Sequence, residues 1–352
     1  MRDCFKQPII ESMTYKYFLL TLALTLLAAC DRAAPPAPDL AADALRIANE
    51  SILVDTHIDV PYRLSEAPAD VSQATDSGDF DYPRARAGGL DAAFMSIYTP
   101  AGLEAEGRSR EDADQLIDLV EKLVADSDGK FAIATSPGDV RENFEKEVMS
   151  LPMGMENGSP LEGDLANLRH FHERGIRYIT LAHSQSNHLS DSSYDENRQW
   201  NGLSEFGTEV VREMNNLGIM VDVSHLSDDA FWQVLELSTA PVIASHSSAR
   251  HFTPDWERNM SDEMITALAE NGGIIMINFG SAFITDEARA YSTERWPAAT
   301  AFMQEHSHLS RDEAQEQFTA AWEAENGPMP LSLIHISEPT RRTIPSRMPS
   351  SA

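Results

Sequence analysis

The stretch ILVDTHIDV, Ile52 to Val60, decides how the rest of the chain is read. It opens apolar and β-branched, as a strand covered on both faces does, and then breaks into His57-Ile58-Asp59. Side chains alternate across a strand, so positions i and i+2 share a face and lie about 7 Å apart. His57 and Asp59 are therefore placed to close on one cation. The stretch equally reads as a strand that reaches water and ends in polar residues, and it does not choose between the two.

Segments further along repeat its style. AAFMSIY (Ala92 to Tyr98), IRYITLAH (Ile176 to His183), IMVDVSH (Ile219 to His225), PVIASH (Pro241 to His246) and GIIMINF (Gly273 to Phe279) are short apolar runs. Amphipathic segments such as REDADQLIDLVEKLVAD, EFGTEVVREMNNLG and SDEMITALAENG lie between them, several ending in Gly as helices often do. Strand-helix alternation implies parallel strands covered by helices. With no GxGxxG or P-loop after the first strand, a barrel is a better reading than a dinucleotide fold. Barrel chemistry gathers at the carboxyl ends of strands, where His57, Asp59, His183, His225 and His246 all fall. One histidine at a strand end is most often structural; four such ends point to a metal.

Composition limits the alternatives. With 27 Lys and Arg against 56 Asp and Glu, the net charge of −29 argues against a nucleic-acid surface. The two cysteines, Cys4 and Cys30, leave no disulfide framework and no thiolate cluster, so a metal must be held by nitrogen and oxygen. Lys16 precedes the apolar run YFLLTLALTLLAA, short for a membrane span but suited to a signal peptide. LAAC resembles a bacterial lipobox, which would make Cys30 a lipidated residue. The expected organisation is an upstream extension plus signal peptide (1–30), an Ala/Pro-rich linker (31–40), a barrel domain (41–330) and a tail of foreign character (331–352). The working domain is expected in the cell envelope, lipid-anchored to the membrane and facing the periplasm.

LPMGMENG places Glu156 after a short apolar strand. A carboxylate can bridge two metals about 3.5 to 4 Å apart, which can share a hydroxide and clamp a hydrolytic displacement. On spacing alone Glu156 reads slightly better as a surface acid in a loop. Together, VDTHIDVPYRL, GLDAAFMSIY, GMENGSPL, GIRYITLAHSQSN, GLSEFGTEVVREMNNLGIMVDVSHLSD, PVIASHSSAR and ERNMSDEMITALAENGGIIMINF resemble the membrane (renal-type) dipeptidases, peptidase family M19. The resemblance covers about Ile52 to Phe279. It implies a TIM-like (β/α)8 barrel of the metal-dependent hydrolase type and a binuclear site with two Zn2+. His57 and Asp59 would hold one zinc, His225 and His246 the other, and Glu156 would bridge them. His183 matches the histidine that polarises the scissile carbonyl or steadies the oxyanion, and Arg258 the arginine that binds the substrate carboxylate. An arginine fork suits a dipeptide whose C-terminus must be located. Away from the resemblance, Arg258 also reads as a surface arginine paired with Glu257 or Asp262. Asp222 is a candidate to orient a ligand or to lie buried in the barrel wall. His188, Asp191, Tyr194 and His251 are candidates to line the cleft.

The family barrel continues to a final strand carrying an acid-base aspartate in a Gly-Ser-Asp-Phe-Asp-Gly-like segment, and no such segment follows Phe279 here. LSLIHISEPTRRTIPSRMPSSA, after Pro330, has no helical periodicity, and LSLIHISEPTR resembles a translated sequencing adapter. The expectation is a barrel incomplete at its C-terminal end, whose first and seventh strands keep unpaired backbone groups. Such a chain is expected to be aggregation-prone and at best weakly active. Beside the dipeptidase stand another metal-dependent amidohydrolase or lactonase, and a lipid-anchored binding module without stoichiometric metal. The partners are a dipeptide and, through the lipid, a membrane, with room for a homodimer.

Overall fold

Nine short strands, all paired in parallel, make one curled sheet in the computed structural model, which describes residues 39–330. Cys30, the signal segment, most of the linker and the tail from Leu331 lie outside the described residues. The described residues divide into two units between Ile47 and Ala48. The described part of the first is the opening of the helix Leu40–Glu50, close to the Ala41–Asn49 expected.

β1 (Leu53–Ile58) lies beside β2 (Leu90–Tyr98). β2 in turn pairs with β4 (Met149–Leu151) and β5 (Met153–Glu156). These two are successive halves of one line of chain interrupted at Pro152, which has no N–H to give a ladder; its carbonyl still accepts from Met95 N at 2.8 Å. β3 (Phe131–Ile133), which the sequence did not announce, flanks β4. From β5 the sheet runs on through β6 (Ile176–Thr180), β7 (Met220–Asp222), β8 (Ile243–Ser247) and β9 (Ile274–Ile277). It bends far enough that Thr56 Oγ1 on β1 donates to Ser245 O on β8 at 2.6 Å. Among the described residues no ladder joins β1 to β9, so the barrel architecture appears as a curled parallel sheet with an open margin.

That margin corrects the reading of β1 as covered on both faces. Leu53 is 36% and Val54 45% exposed, because β1 has a ladder on one side only. The centre matches the expectation of continuous burial: every residue of β5 is buried. Met95, Ile97, Met155 and Ile179 pack there with Ile117 and Phe171 from the covering helices.

Helix starts follow local chemistry. Ser136, Asp164, Ser204, Ser227 and Ser261 each cap a helix by accepting a backbone N–H two or three residues on. The helix Glu205–Leu217 stops at Gly218, whose φ of 77° suits a residue without Cβ. Helices Asp286–Glu305 and Arg311–Asn326 follow β9, beyond the region the motifs described.

Candidate metal centre

Each predicted ligand stands at a carboxyl end of the sheet. His57 lies near the end of β1 and Asp59 one residue beyond it; Glu156 is the last residue of β5, and His246 lies on β8. His183 and His225 follow β6 and β7 by three residues. His225 sits two residues before the helix cap Ser227, and this abrupt strand-to-helix turn holds it at φ 67°, a left-handed conformation uncommon outside glycine. Its carbonyl accepts from Ser193 N at 2.7 Å, which pins the turn.

Glu156 is the centre of the group. It is 2% exposed, which overturns its reading as a surface acid: the strand before it is interior, and its side chain points inward with its neighbours' histidines. Its Oε2 lies 3.3 Å from His57 Nε2, and its Oε1 lies 3.3 Å from His225 Nε2, 3.2 Å from His246 Nε2 and 3.4 Å from His183 Nε2. Asp59 Oδ1 is 3.4 Å from His57 Nε2. The rings of His57 and His246 stack at 3.7 Å, and their partners His225 and His183 lie at 4.3 Å from each other. Among the described residues, His57, Glu156 and His246 bring donor atoms within 4.8 Å of one another, and so do Glu156, His183 and His225. Glu156 is common to both groups, as a bridging carboxylate would be.

A glycine makes this approach possible. Gly154 pairs with Tyr178 across the β5–β6 ladder, and a Cβ there would overlap the Tyr178 ring. The ring instead occupies that space and puts its hydroxyl 2.8 Å from His57 Nδ1.

Burying a carboxylate is costly unless positive charge or hydrogen bonds compensate. Burial would raise the Glu156 carboxyl, but His57, His183 and the close rings of His225 and His246 hold it well below its ordinary value. For His57, burial pulls downward, yet the Tyr178 hydroxyl oxygen facing its Nδ1, together with Glu156 and Asp59, keeps it well above 6.5. Desolvation lowers the other three, aided by Arg258 at each: His183 falls, His225 falls well below 6.5, and His246, which His57 also depresses, drops to about 4.

The donor set fits a divalent metal. His57 Nε2 and Asp59 Oδ1 are buried with no hydrogen-bond partner, and both belong to the central group. A cost of this kind is ordinarily avoided in a folded protein, and neutral imidazole with carboxylate is the chemistry zinc and similar ions take.

Arg258 is 2% exposed and not a surface residue paired with Glu257 or Asp262. Its Nη1 donates to Ser247 Oγ at 2.8 Å and its Nη2 to His246 O at 2.6 Å, while its Nε is left buried without a partner. Glu257 pairs with Arg198 instead. Asp191 organises the neighbouring loop, accepting from the backbone of Gln199, Trp200 and Gly202. His188 pairs with Glu104 at 2.7 Å and His251 meets Phe252 edge to face, so neither enters the cluster. Tyr194 does approach it, 5.7 Å from the His225 ring. Sequence reasoning passed over Tyr178 and Ser245; their only signal was a polar group inside an apolar strand, next to a ligand in the case of Ser245.

Comparisons with known proteins identify the chain's relatives. A family profile described as "Membrane dipeptidase (Peptidase family M19)" matches residues 41–317. An uncharacterised dipeptidase of Schizosaccharomyces pombe is 32% identical over 248 residues, 66% of this chain and 60% of that protein. Dipeptidase 3 of Mus musculus is 35% identical over 249 residues, 68% of this chain and 49% of that protein. The chain thus spans about half to three-fifths of the curated relatives it matches. The crystal structure of a metallopeptidase from Rhodobacter sphaeroides, liganded with a phosphinate mimic of the dipeptide L-Ala-D-Ala, superposes with a TM-score of 0.61 at 26% identity, covering 67% of this chain and 76% of that one.

Proposed function

Because the chain belongs to the membrane dipeptidase family, peptidase family M19, we propose that its histidine-carboxylate cluster holds two zinc ions and hydrolyses dipeptides. The observation that carries the reading is Glu156, buried among four imidazole Nε2 atoms at 3.2 to 3.4 Å. His57, Asp59, His225 and His246 are the remaining metal ligands. When bound, a zinc pair supplies Lewis acidity and water activated near neutral pH.

The chain's own groups do the positioning. Arg258 is fixed through Ser247 and the His246 carbonyl, leaving its Nε to meet a carboxylate. That suits the free C-terminus of a dipeptide and disfavours a lactone, which has no such group. His183, kept neutral by desolvation, is a donor for the charge that develops on the carbonyl oxygen. The lipobox at Cys30 supports a place in the cell envelope, tethered to a membrane. The test is elemental analysis of the purified full chain together with release of free amino acids from dipeptides. About two zincs per chain, with Arg258→Ala raising KM more than it lowers kcat, is the expected result. Less than one ion per chain, or hydrolysis that survives stripping the metal, overturns the reading.

A further inference from the structure

Four histidines surround Glu156, yet their outward nitrogens are treated differently. His183 Nδ1 and His225 Nδ1 are buried without a partner, whereas His57 Nδ1 and His246 Nδ1 each meet a hydroxyl. On His246 that hydroxyl is Ser245 Oγ at 2.7 Å, which lies in turn 2.6 Å from Asp222 Oδ2. Asp222 is fully buried and accepts from every neighbour around it: Thr180 Oγ1 at 2.5 Å, Ser245 N at 2.9 Å and Ser224 N at 3.1 Å. On His57 the hydroxyl is Tyr178 at 2.8 Å, and it also reaches Thr56 O at 3.2 Å.

Each hydroxyl has one proton. A carboxylate and a backbone carbonyl can only accept, and the geometry has Ser245 donating to Asp222 and Tyr178 donating to Thr56 O. What remains on each oxygen is a lone pair, which requires an N–H at His246 Nδ1 and at His57 Nδ1. The inward Nε2 of each ring is then left for a ligand. Neighbouring hydrogen bonds of this kind fix tautomer and ring orientation in metal-binding histidines.

We propose that Asp222, acting through Ser245, and Tyr178, acting through the Thr56 carbonyl, are positioning residues that preset His246 and His57 to present Nε2 to the metal. The proposal rests on the metal reading above and goes beyond it: Asp222, three residues before His225, serves His246 on the adjacent strand. The residue Asp222 serves thus lies across the β7–β8 ladder.

The experiment is zinc titration of the full chain against a chromophoric chelator, comparing the parent with Ser245→Ala, Tyr178→Phe and Asp222→Asn. Circular dichroism and thermal melting verify the fold, and Ser245→Thr restores the hydroxyl. One binding step weakening by about 10- to 100-fold in Ser245→Ala, with recovery in Ser245→Thr, is expected. Nitrogen-15 NMR of the zinc-free protein reads the tautomers directly and should report Nδ1–H on His246, lost or mixed in Ser245→Ala. Tyr178→Phe should weaken a step too. If it is the same step, His57 and His246 serve one ion; if it is the other, they serve different ions. Unchanged affinities in folded Ser245→Ala and Tyr178→Phe, or an Nε2–H tautomer at His246, overturn the proposal while leaving the metal site standing. A parent that binds no zinc overturns both.

Discussion

The centre of the sheet and its margins are built from similar apolar strands and end in opposite states. On β5 every residue is buried, and the strand delivers a carboxylate to the middle of the cluster. On β9, Ile274 is 51% and Ile277 44% exposed, although the run IIMI is the more β-branched of the two. Hydrophobicity therefore does not set burial here; having a ladder on both sides does. The same difference sorts the chemistry, since a buried Glu156 can be surrounded by imidazoles only where strands flank it on either hand.

The largest test of this contrast replaces a central and a marginal isoleucine in turn. Ile97→Ala should cost about 2–5 kcal/mol by urea denaturation, and Ile277→Ala only about 0.5 kcal/mol. Equal costs would mean that β9 is covered in solution. Next in size is Gly154→Ala. Its methyl would overlap the Tyr178 ring and displace it, so about 1–3 kcal/mol should be lost and zinc affinity should fall with it. Retained affinity would show that His57 does not depend on Tyr178.

A third test is the pH dependence of the zinc-free protein. His183, His225 and His246 have values below 6.5 in the fold, so the unfolded chain takes more protons there. Their contribution is complete above 6.5 and is lost as pH falls, for His246 down through about 4. His57, held above 6.5, acts oppositely: its contribution is complete below that value and fades as pH rises through the folded one. Thermal melting should therefore show greatest stability near pH 6.5, and zinc should flatten the alkaline limb by taking the place of the His57 proton. A profile that climbs steadily to pH 9 would contradict the assignment for His57.

Much of this site was legible in the chain itself. His57, Asp59, His225 and His246 stand at or just beyond strand ends that hydrophobic runs mark out, and the alternation of side chains put His57 and Asp59 within reach of one another. Glu156 was ambiguous on its own, because an acid before a Gly-containing turn looks the same in water as in a core. The short β3 and the break at Pro152 were hidden, since three residues of strand carry too little pattern to be seen.

Sequence by itself marked out the histidines and acids that the fold gathers at one end of the sheet, and the parallel, helix-covered order of the strands. Local periodicity and the types of residue at strand ends are written in the order of the chain. The tertiary structure alone decided that Glu156 is the hub, that Arg258 is buried, and that Ser245 and Tyr178 hold two of the histidines. Those facts depend on contacts between residues as far apart as Thr56 and Ser245, and on whether a strand finds partners on both sides, which no local pattern encodes.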